Sequence, residues 1–165
     1  MDEEFHLVYM PICDEQRRIV SCETLLRWHS KEHGEIPAEE FIAVAENTGL
    51  FRKIDYWVVR RALVDFPVLD EMFGEHFNLS INLSSAELES SQIYHFLQKT
   101  IDELNIEPSR IELEITETFA VTEGLMSIKL LERLVELGFQ IVIDNFGSGD
   151  TSLLQLIDYL SLIHI

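Results

Sequence analysis

The chain has 165 residues and 47% hydrophobic content, enough for one domain with a real core and too apolar for a disordered segment. Thirty acidic residues against twelve basic ones give a net charge of −18, which weighs against non-specific binding to DNA, RNA or anionic membrane. No apolar run reaches transmembrane length, the acidic start Met-Asp-Glu-Glu lacks the basic opening of a signal peptide, and Cys13 and Cys22 make no disulfide framework, so a cytoplasmic location is expected.

Phe5–Ile12 alternates and is rich in large apolar residues, and Arg18–Trp28 reads as a second strand. The polar turn between them, Asp14-Glu15-Gln16-Arg17, predicts an antiparallel hairpin. A helix is predicted from Pro37 to about Thr48, stopped by Gly49. A second helix, Phe51 to Phe66, carries Ile54, Trp57, Val58, Arg61 and Ala62 along one face, and Pro67 is expected to end it. Phe77–Leu83 reads as a strand, and Ser91–Leu104 as a helix with Ile93, Phe96, Leu97, Ile101 and Leu104 inward. In the strand Arg110–Glu117, Ile111, Leu113 and Ile115 point one way while Glu112, Glu114 and Thr116 point the other. Thr122 can cap a helix that Gly138 closes, with Leu125, Ile128, Leu131, Leu134 and Val135 inward. Phe139–Asp144 is a strand, Asn145–Asp150 a glycine-containing loop, and Thr151–Tyr159 a helix. Repeated strand-then-helix units predict an α/β fold with parallel strands and right-handed crossovers.

Four oxygen-bearing residues stand near the ends of four different predicted strands: Glu23, Asn82, Glu114 and Asp144. With no His or Cys among them, the donor type suits a hard divalent cation, Mg²⁺ or Mn²⁺. Each has a plain structural alternative. The acids of 112–117 could form a solvated strand face, Asp144 could be a turn or capping residue, and Asn82 could be a hydrogen-bonded strand amide. Glu23 lies four residues before Arg27 on one strand face, a spacing that offers a structural ion pair as readily as a phosphate clamp. Gly147 and Gly149 permit a close backbone approach to a phosphate. The histidines 6, 29, 33, 76, 95 and 164 show no ligand-like spacing and read as surface or loop residues. Cys13, Cys22, Met10, Trp28 and Trp57 read as core.

Six ordered motifs resemble the EAL domain, the bacterial cyclic di-GMP phosphodiesterase. They are Tyr-Met-Pro-Ile (9–12), Glu-Thr-Leu-Leu-Arg-Trp (23–28), Ile-Pro-Ala-Glu-Glu-Phe-Ile-Ala-Val-Ala-Glu (36–46), Ile-Asn-Leu-Ser (81–84), Glu-Leu-Glu-Ile-Thr-Glu (112–117) and Asp-Asn-Phe-Gly-Ser-Gly (144–149). The resemblance implies a modified TIM (β/α) barrel whose first strand is antiparallel. It implies Mg²⁺ or Mn²⁺ held by Glu23, Asn82, Glu114 and Asp144, with Asn145 at a second-metal position, and catalytic parts for Glu23 and Asp144. Leu25, Arg27 and Gly147 would meet the ligand. The implied reaction is hydrolysis of one phosphodiester bond of cyclic di-GMP to linear pGpG. A homodimer and fused sensory or GGDEF domains are further partners that the resemblance implies.

The sequence also departs from the family pattern. Glu-Thr-Leu stands for Glu-Ala-Leu, which keeps the carboxylate. Met10 replaces the family's Gln, and Asp150 its Tyr. Asn145 replaces a second Asp, and a neutral amide is the poorer cation ligand. The family's Lys would fall at about Ile165. The expectation is therefore a single EAL-type domain over 1–165, an incomplete barrel covering roughly the N-terminal two thirds, with 160–165 foreign to the family and the polypeptide inactive or nearly so. A non-catalytic module that binds cyclic di-GMP or a protein is the alternative.

Overall fold

A computed structural model of the chain describes residues 4–74, 76–84, 92–116 and 125–144, without the side chains of Glu46, Thr116, residues 125–128 and Asp144. In chain order the elements are β1 Phe5–Cys13, β2 Ile19–Ser30, β3 Gly34–Ile36, α1 Ala38–Thr48, α2 Phe51–Phe73, β4 Asn78–Asn82, α3 Gln92–Leu104, β5 Ile111–Thr116, α4 Leu125–Glu136 and β6 Gln140–Asp144. They fall into two compact units, Met1–Leu79 and Ser80–Ile165, and β4 crosses the boundary.

The first unit is built on the expected hairpin. Strands β1 and β2 pair antiparallel from Phe5↔Trp28 to Cys13↔Ile19, with an irregularity at Ile12/Cys13. Asp14 fixes the turn: its carboxylate accepts from the backbone N–H of Arg18 at 2.9 Å and from the Arg18 side chain at 2.7 Å. Those two donors hold the Asp14 carboxyl below its ordinary pKa, the backbone N–H contributing most. One hairpin face packs on the helices. Phe5 stacks on Trp28, and both rings meet Phe41 of α1 edge-on. The short strand β3, which pairs with the end of β2, was not expected. Its three residues are too few for an alternation to show.

Helix α1 ends as predicted. Gly49 takes φ +70°, and the Leu50 N–H reaches back to the Ala45 carbonyl. Helix α2 does not stop at Pro67 but runs to Phe73 with the proline inside it. Proline removes one backbone hydrogen bond and crowds one carbonyl, a local cost that neighbouring packing can offset. Here Phe66 is buried, and Phe73 packs against Phe77 at a centroid distance of 5.1 Å. The buried α2 face is Ile54, Val59, Ala62, Leu63 and Phe66. Arg61, expected on that face, is exposed and pairs with Asp65 at 3.0 Å.

In the second unit β4, β5 and β6 are successive neighbours, and β5 pairs parallel with β6. Ile111, Leu113 and Ile115 are buried, as are Ile81 and Leu83 at and just after the end of β4. Ile93, Leu97 and Ile101 of α3 and Leu131 and Leu134 of α4 complete a core in which each such side chain contributes about 1.5–3 kcal/mol. Gly138 closes α4 at φ +106°, with the Phe139 N–H bonded to the Leu134 carbonyl at 3.1 Å. The fold class is α/β, with an antiparallel first strand and parallel strands later. Thr122, the loop 145–150 and the helix read over 151–159 lie outside the described residues.

Candidate functional site

Three of the four candidate ligands lie on the strands of the second unit. The Ser80 hydroxyl donates to the Glu112 carboxylate across β4 and β5, so these two residues share a sheet face. One pleat further on, two residues along each strand, stand Asn82 and Glu114. The Leu83 N–H donates to the Glu114 carbonyl at 2.8 Å and holds that register. On β6, Val142 is the partner of Glu114 and Asp144 the partner of Thr116. The backbone of Asp144 is thus one pleat beyond Glu114, at the C-terminal ends of parallel strands.

Glu114 is only 9% exposed, and a carboxylate at that depth is costly without compensation. Asn82, by contrast, is exposed at the end of β4. The donors on this edge are all oxygen, which fits a hard divalent cation better than zinc. Among the described residues no three His, Cys, Asp or Glu side chains already form a metal-sized cluster. Asn145 and Gly147 lie outside the described residues.

Glu23, Leu25 and Arg27 lie on β2 in the first unit. Their hairpin partners are Met10, Val8 and His6 respectively, so these six share one face. It is opposite the face that carries Phe5 and Trp28, whose rings meet α1. Met10 is 50% exposed and Val8 36%, so Met10 is not the core residue expected from its apolarity. Cys13 is likewise exposed at the end of β1, while Cys22 is buried and its thiol pKa is raised by desolvation. The Arg27 guanidinium donates to the Leu26 carbonyl at 2.9 Å.

Two polar linkages were not found from sequence. One is the Ser80–Glu112 bond, whose only trace is that each residue precedes a candidate ligand by two. The other joins Tyr9 of β1 to Asp65 of α2: the phenol donates to the carboxylate at 2.9 Å across 56 positions of sequence. Burial first, and then Asp65, push the Tyr9 pKa well above the ordinary phenol value.

A sequence model described as the EAL domain matches residues 1–160. The biofilm architecture maintenance protein MbaA of Vibrio cholerae is 44% identical over 160 residues, covering 96% of this chain and 20% of that protein. The cyclic di-GMP phosphodiesterase PdeR of Escherichia coli is 29% identical over 155 residues, covering 94% of this chain and 23% of that protein. Among solved structures, the PaMucR phosphodiesterase in complex with c-di-GMP superposes with a TM-score of 0.86 at 31% identity, covering 94% of this chain and 63% of that chain. The chain thus spans about a fifth of the length of these curated relatives. The shared architecture is a TIM-barrel-like α/β fold, of which this chain carries part.

Proposed function

The chain belongs to the EAL domain family, and on that premise we propose that it binds cyclic di-GMP and serves its hydrolysis to linear pGpG in bacterial second-messenger signalling. The observation that carries this reading is that Asn82 and Glu114 stand side by side on β4 and β5, with the Glu114 carboxylate nearly buried and the backbone of Asp144 one pleat further along on β6.

We assign Asn82, Glu114 and Asp144 to a Mg²⁺ or Mn²⁺ ion, with Glu23 as the fourth oxygen ligand. When bound, such a cation neutralises charge on the phosphoryl oxygens and lowers the pKa of water. The protein's part is to bind and orient. Arg27 offers its guanidinium to a phosphate, and Leu25 and Gly147 contact the nucleotide. Glu23 and Asp144 orient the attacking water. In the net reaction one water adds across one P–O bond: the hydroxyl goes to phosphorus and the proton to the departing 3′ oxygen. Asn145 in place of a second carboxylate weakens a second cation, so turnover by this polypeptide is slow or absent. Relatives about five times as long as the matched segment support sensory or GGDEF domains as accompanying modules in a longer protein.

Met10 favours a second reading. It lies directly across the hairpin from Glu23, exposed, where the family carries an amide. That loss of a polar contact suits a module that binds the nucleotide without cleaving it. Calorimetric titration of cyclic di-GMP with Mn²⁺, followed by chromatography of the mixture, separates the two. Binding with pGpG formation supports the phosphodiesterase, binding without product supports the receptor, and no binding contradicts both.

A further inference from the structure

The first unit holds an apolar pocket of about 440 Å³ between α1, the start of α2 and the Phe5–Trp28 end of the hairpin. That size lies within the roughly 300–1,000 Å³ of small-molecule sites. One wall is aromatic and already set. The Trp28 indole N–H donates to the Glu4 carboxylate at 2.9 Å, Phe5 stacks on the Trp28 ring, and Phe41 meets both rings edge-on at centroid distances of 5.7 Å. A ligand that settles on this wall does not have to order it first.

Helical spacing sets the rim. Glu40, Val44 and Thr48 line the pocket at four-residue steps along α1, and Leu50, just before α2, completes the mouth. Val44 is 62% exposed and Leu50 50%, so two apolar side chains stand open there. Glu40 is the one charged residue of the lining. The Thr48 hydroxyl gives its proton to the Val44 carbonyl at 2.8 Å, which leaves its lone pairs for a ligand. Both polar groups of the rim therefore accept hydrogen bonds, and they stand about 12 Å apart along the helix with Val44 between them. An anionic headgroup would meet the Glu40 carboxylate and a chain of net charge −18. An ammonium group suits either acceptor.

From this we infer that the pocket binds a small amphipathic amine, its ammonium at Glu40 and its apolar body across Val44 onto the Trp28–Phe41 wall. The pocket lies on the helix-packed side of the hairpin, opposite the face of Glu23, Leu25 and Arg27. It is thus separate from the nucleotide site, and its failure leaves the proposed function untouched.

Titration of octylammonium into the 165-residue chain at about pH 7, followed by the Trp28 indole N–H resonance, tests it. Octanoate, with a similar apolar body and the opposite charge, is the comparison. The expected result is a saturable shift with a Kd between about 0.1 and 10 mM, and binding of octanoate about fivefold weaker or more. Glu40→Gln levels the two probes. Val44→Trp, at an exposed position, fills the mouth and weakens octylammonium about tenfold or more. A Trp28 resonance that stays in place up to about 10 mM octylammonium overturns the inference. So does octanoate that binds as tightly, a preference that survives Glu40→Gln, or a Val44→Trp chain that binds as before.

Discussion

The backbone N–H of Leu83 donates to the carbonyl of Glu114 over 2.8 Å, and this bond carries the β4–β5 register past the point where Asn82 and Glu114 stand side by side. One pleat lower, Ser80 and Glu112 are joined side chain to side chain. A backbone bond and a side-chain bond, neither of which uses the Asn82 amide or the Glu114 carboxylate, thus help to hold the candidate cation edge in register.

Asn145→Asp should strengthen Mn²⁺ binding by about tenfold or more, because an added carboxylate raises the charge and donor strength of an all-oxygen site. Calorimetry or Mn²⁺ electron paramagnetic resonance reads it without any need for turnover. Unchanged Mn²⁺ occupancy in the variant would remove Asn145 from the site.

Tyr9 makes stability pH-dependent on the alkaline side. Its folded-state pKa is raised by burial and by Asp65, so the folded chain keeps the phenol proton that the unfolded chain loses near pH 10. The contribution is therefore complete below about pH 10 and is lost as pH rises from there toward the folded value. Tyr9→Phe should cost about 1–2 kcal/mol at neutral pH and flatten the fall in Tm above pH 10. Parallel Tm profiles for the two proteins between pH 8 and 11 would contradict this.

Pro67→Ala should stabilise the chain by about 1–3 kcal/mol, since alanine restores the missing backbone donor in the interior of α2. Pro67 is exposed, so the substitution removes little packing. Denaturant unfolding monitored by helical circular dichroism measures the change. A loss of stability would mean that the proline ring holds α2 in a bend the fold needs.

The hairpin, the three later strands and the buried stripes of α3 and α4 were legible because alternation and helical spacing report burial directly. Leu97, Ile101, Leu131 and Leu134 all came out inward. Three kinds of feature were not legible. The strand Gly34–Ile36 is too short to show a period. Pro67 signals a stop by local chemistry, yet packing of Phe66 and Phe73 overrides it. Met10 and Cys13 are apolar but face outward, because the pleat and the strand end, not side-chain character, decide which face they take. At the site, residue types and motif order singled out Asn82, Glu114 and Asp144, whereas the Ser80–Glu112 clamp needed the β4–β5 register.

The most direct test of the central claim is titration of cyclic di-GMP into the chain with and without Mn²⁺, beside the same titration of Glu114→Gln. The substitution keeps the shape of the buried side chain and removes its charge. Mn²⁺-dependent nucleotide binding that weakens about tenfold or more in Glu114→Gln is the expected result. Nucleotide binding that ignores both Mn²⁺ and the substitution, or no binding by the unaltered chain, would contradict it.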